Sequence, residues 1–154
     1  MKSILTGSVY HAVVRRVGRI DERSPRRWGR MSADQMLCHC TGQIRLALAQ
    51  KPATETAPWF NRAVVIRVAL LLPRLPARNL ATPRDMRQDG TGLGTAPTTL
   101  AHDRALLLQA LADFLALPAA APLAPHPGYG PLNRAQRGRF IYLPLDHHLR
   151  QFGA

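Results

Sequence analysis

The chain is short of cysteine, of lysine, of acidic residues and of aromatics, and each shortage excludes something. Two cysteines, Cys38 and Cys40, stand too close along one helix to bridge each other and are too few for a disulfide framework. Long apolar runs are also missing. The longest, AVVIRVALLLP from Ala63 to Pro73, is interrupted by Arg67 and falls short of the ~20 residues that cross a bilayer. The N-terminal stretch MKSILTGSVYHAVV has a charge at Lys2 but neither an unbroken apolar core nor a small-residue cleavage site, so the reading is a cytoplasmic protein without a membrane partner.

Acidic residues number 9 against 21 Lys+Arg, a net charge of +12, which raises nucleic acid as a partner. The distribution argues against it. Apart from Lys2 and Lys51 every basic residue is an arginine, and these are dispersed, with no nucleic-acid motif and no basic stripe interleaved with aromatics. Aromatics make up 6% of the sequence. No nucleophile triad, carboxylate pair or cofactor fingerprint is visible. GTGLG, with Gly90, Gly92 and Gly94, lacks the strand before and the helix after that a phosphate loop needs.

What is present is helical periodicity. The 154 residues, 46% of them hydrophobic, suit a single domain spanning 1–154 that closes a core without staples. Val9, Val13, Val17 and Ile20 predict a helix from Val9 to Ile20. A second is predicted from Ser32 to about Gln50, opened by an S-x-x-Q capping box and striped by Met36, Leu37, Cys40, Ile44, Ala47 and Leu48. A third, short one falls between Asn61 and Leu72, before Pro73 and Pro76. The fourth starts near Thr99 and buries Leu100, Leu107, Leu108, Leu111, Phe114 and Leu115 before Pro118. The fifth opens at Asn133, with Gln136 at its third position, and runs to about Gln151. Nothing alternates with period two, so the fold class is all-α: a four-helix bundle with long connecting loops and an extra short helix.

Six histidines are sorted by their angular position, about 100° per residue on a helix. His102 shares a side with Gln109 and Asp113 and is solvated. His11 is marginal and His126 lies in a loop. His39 flanks the apolar stripe of its helix beside Gln43, where a side chain reaches between helices. His148 falls at the centre of the last helix's apolar side, flanked by Ile141, Leu145 and Phe152, and His147 lies at its edge. A buried imidazole needs a partner. Inward imidazoles from two bundle helices begin a metal site, yet a catalytic zinc site takes about three protein ligands, two of them commonly a pair at i and i+4. Four residues before His148 stands Pro144. Cys38, His39 and Cys40 project about 100° apart and cannot share one ion; Cys40 reads as core, Cys38 as exposed, and Asp146 as solvated.

Two blocks, WGRMSADQMLCHCTGQIRLAL from Trp28 to Leu48 and HPGYGPLNRAQRGRFIYLPLDHHLRQFGA from His126 to Ala154, together about a third of the chain, resemble the DinB-like superfamily. The match is to a bacterial branch ending in a DHHLRQFG-type motif. The resemblance implies a four-helix bundle, often a homodimer, holding a divalent metal such as zinc or nickel through one histidine of the second helix and two of the last. Characterised relatives include thiol-dependent transferases and isomerases, and many members have no known activity. By position the ligands fall on His39, on His148 and on Pro144, and an aromatic common before the apolar run falls on Arg137. Three outcomes follow: His147 swings in as replacement ligand, a water completes a weak site on His39 and His148, or the cavity holds no metal and serves as a non-catalytic module for a small-molecule or thiol ligand.

Overall fold

A computed structural model describes residues 1–52, 68, 71, 73–74, 86–88, 93–127 and 129–154. Among them are four helices and no strand: α1 (Gly7–Gly18), α2 (Ala33–Ala47), α3 (Leu100–Ala116) and α4 (Arg134–Gln151). The all-α class stands, and the arrangement is consistent with a four-helix bundle. Of the short helix expected between Asn61 and Leu72 only Val68 and Leu71 are described, both helical; its other residues, like Gly90 and Gly92, lie outside the described residues.

Local chemistry sets the helix ends. The capping boxes form at both expected places: Ser32 and Asn133 open α2 and α4, and the side chains of Gln35 and Gln136 return to their backbone amides at 3.0 Å. Thr99 caps α3 by accepting from the His102 amide at 3.3 Å. At the far end of α3, Arg134 donates to the carbonyls of Leu115 (3.1 Å) and Phe114 (3.4 Å) while stacking over the Phe114 ring, so one cation satisfies carbonyls that the helix leaves unpaired.

The helices pack in a ring. α2 lies against α3 and α4, α1 against α3 and α4, and α1 and α2 stand diagonally opposite. The stripes read from the sequence meet in one core of Val13, Val17, Ile20, Met36, Leu37, Cys40, Ile44, Leu107, Leu111, Phe114, Ile141, Leu145, Leu149 and Phe152. Gly138 lets the N-terminal segment approach α4: Ile4 donates to its carbonyl, and an added Cβ would sit 2.7 Å from Leu5 Cγ and 2.8 Å from Ser3 Oγ. Pro144 is inside α4, which continues as one helix to Gln151, although the ring deprives the Phe140 carbonyl of its amide partner.

Three of the arginines are spent internally. Arg104 reaches from α3 to the Ile20 carbonyl, Arg139 donates to the Lys2 carbonyl at 2.7 Å, and Arg137, almost completely buried, donates to the Ala124 carbonyl. These cations tie helices to loops by backbone carbonyls. Among the described residues no helix is long and apolar enough to cross a membrane.

Candidate functional site

α2 and α4 face each other across the interior, and their contact brings His39 and His148 together. The ring centroids are 4.9 Å apart at an interplanar angle of 75°, an edge-to-face arrangement. His39 is 6% exposed. Its Nε2 lies 2.9 Å from Gln43 Nε2, one turn further along α2, while Nδ1 has no well-formed hydrogen bond. His148 Nδ1 lies 2.9 Å from Gln151 Oε1.

Burial dominates the electrostatics. Desolvation disfavours the imidazolium at both positions and lowers His39 to about 4, against a small opposing effect of the Met86 backbone. His148 is lowered to about 3, first by desolvation and then by His39, with the Gln151 hydrogen bond pulling the other way. Both rings are therefore neutral near pH 7, the form in which imidazole donates a lone pair to a metal.

His147 takes a different direction. It is half-buried, with its ring edge-on to Trp28 at 5.7 Å and 5.2 Å from the ring of His148. Among the described residues no three His, Cys, Asp or Glu side chains are grouped so as to hold an ion. The nitrogen donors brought together are thus two neutral imidazoles, one from each helix. Neutral imidazole nitrogen is a donor type that divalent ions such as zinc accept.

Two sequence expectations need correction. Asp146 is buried rather than solvated: Arg16 of α1 donates to it at 2.8 Å and Arg150 at 3.0 Å. Burial opposes its ionisation, but the hydrogen bonds and charges of the two arginines outweigh this and hold the carboxyl below its usual range. Cys38 is also buried, beside Asp103 and a cavity of about 10 Å³ between α2 and α3, room for one water. Desolvation and then the Asp103 charge push its thiol up to about 12, which removes it as a nucleophile at neutral pH. His126 lies in a loop, as expected, and is partly buried there. It packs on Tyr129 and Phe140 at 4.5 and 5.9 Å and is lowered to about 4 by desolvation and then by Arg137. His102 is exposed, as read, and so is His11.

Two members of the site escaped the sequence. Gln151, 2% exposed, joins His148 to the Trp28 carbonyl, its Nε2 donating at 2.7 Å. Trp28 stands in a loop and gave no periodic signal. The Asp146–Arg150 pair was available as an i, i+4 match of opposite charges; the missing information was that Arg16 comes to the same place from α1.

The two sequence blocks that carry the resemblance therefore converge on one spot. The Trp28 loop and α2 supply one wall, and the DHHLRQ segment of α4 supplies the other. No curated protein and no solved structure matches this chain. One family model does, over residues 3–154, and the chain accordingly belongs to DUF1569, a family of proteins of unknown function.

Proposed function

We propose that this protein is a DinB-like helical bundle whose paired imidazoles, His39 and His148, take up a divalent cation such as zinc or nickel with two protein nitrogens. The remaining coordination positions are left to water or to a small ligand, a thiol being one candidate. The observation that carries the reading is the meeting of two neutral imidazoles from different helices at 4.9 Å, His39 buried and His148 partly buried. A helix contact that only needed filling would have no use for two polar rings facing each other, since each costs desolvation. When bound, such an ion lowers the pKa of a coordinated water or thiol, and that is the chemistry relating this site to thiol-dependent transferases.

Titration calorimetry with zinc on chelator-treated protein tests it. One site per chain is expected, lost in His39→Ala and in His148→Ala and retained in His147→Ala. Binding that survives both of the first two substitutions refutes the reading.

The competing reading is a non-catalytic module, homodimeric or binding a small molecule, that has lost the metal. Pro144 at the third-ligand position and His147 resting on Trp28 favour it. Under that reading zinc and chelator leave the melting temperature unchanged.

A further inference from the structure

The hydrogen bonds of Gln151 decide which nitrogen of His148 carries the proton. A backbone carbonyl only accepts, so the group of Gln151 that lies 2.7 Å from the Trp28 carbonyl oxygen must be its NH₂. The amide oxygen is then the atom 2.9 Å from His148 Nδ1. An amide oxygen only accepts, so Nδ1 must hold a hydrogen, and the lone pair of the neutral ring is left on Nε2.

The anchor of this relay is itself fixed. The Arg27 amide donates to the Gln151 carbonyl at 2.8 Å, so backbone and side chain of Gln151 both engage the 27–28 segment. Gly29, at φ 77°, turns the chain immediately afterwards, and the Trp28 indole rests on His147. His39 is held differently, with the Met86 backbone and Gln43 beside its ring. Gln43 is half-buried on the same helix, and among the described residues no second hydrogen bond to that amide fixes which end faces the ring.

We propose that Gln151 is a positioning residue: oriented by the Trp28 carbonyl, it holds His148 as the Nδ1–H tautomer and reserves Nε2 as the donor nitrogen of the centre. The assignment rests on the metal reading for its purpose but not for its geometry. It gives the glutamine of the DHHLRQ segment the part that second partners of metal-bound imidazoles play, fixing tautomer and ring orientation. It also explains why the Trp28 block and the DHHLRQ block belong together, since the carbonyl of one orients the amide of the other.

Long-range proton–nitrogen correlation spectra of metal-free, histidine-labelled protein at neutral pH test this directly. The wild type is expected to show a protonated, pyrrole-type Nδ1 and an unprotonated Nε2 on His148. Gln151→Leu loses that pattern, and its zinc affinity falls about 10- to 100-fold. A wild-type His148 protonated on Nε2 overturns the proposal without any variant, and so does an unchanged Nδ1–H tautomer in a folded Gln151→Leu. An Nδ1–H tautomer in protein that binds no zinc upholds the role of Gln151 and refutes only the metal reading.

Discussion

Acid should destabilise this protein well above the pH at which carboxylates titrate, because three desolvated histidines, His39 buried and His126 and His148 partly buried, resist protonation. His39 and His126 are lowered to about 4 and His148 to about 3, from an ordinary 6.5. The unfolded chain takes up protons on all three as the pH falls below about 6.5, and the folded chain does not, so stability is complete above that pH and is lost progressively towards pH 4. At pH 5 the unfolded state has gained about 1.5 pH units of proton binding per histidine, at about 1.4 kcal/mol per unit, or about 2 kcal/mol each. The three together give roughly 6 kcal/mol, a large share of the 5–15 kcal/mol typical of a domain. Asp146 does not intrude, since its depressed pKa makes stability pH-dependent only as the pH nears and passes below its ordinary value of 3.8. Urea unfolding followed by circular dichroism between about pH 7 and pH 5, with chelator present, measures the slope. A His39→Gln/His148→Gln double variant should lose about 4 of those 6 kcal/mol of pH dependence. Equal slopes in the variant and the wild type would refute the argument that the pair is desolvated and neutral.

Other consequences concern packing and the missing ligand. Gly138→Ala should lower stability by about 1–3 kcal/mol despite alanine's better helix propensity, because Ser3 and Leu5 must move aside; thermal unfolding reads this. Asp146→Asn removes the charge that Arg16 and Arg150 share and leaves one acceptor oxygen where there were two, and should cost about 1–3 kcal/mol, between the values for surface and buried pairs, measured by urea unfolding. Pro144→His restores a ligand one turn before His148 and an amide to α4, and should raise zinc affinity about tenfold or more; calorimetry checks it, and an unchanged affinity would mean that this position does not face the centre.

The helices were legible in the sequence because their signals are local: a capping residue, a glutamine three positions on, and leucines at helical spacing ending at a proline. For the same reason the angular placement of His39 and His148 indicated their inward direction without showing that they meet. Contacts made by residues outside any periodic pattern were not legible. Trp28 works through a backbone carbonyl, which any residue type could supply. Cys38 was read as exposed from its own helix alone, whereas α3 and the loop before it cover that side with Asp103 and Thr95. The fate of the arginines was hidden too, since pairing with carbonyls leaves no trace in charge patterning.

The central claim is that imidazoles of α2 and α4 form one centre able to share an ion. Following the histidine side-chain resonances of the wild-type chain during zinc addition tests it most directly. His39 and His148 should respond together and saturate at one equivalent. Zinc that perturbs the exposed His11 or His102 and leaves His39 and His148 unmoved would contradict the account.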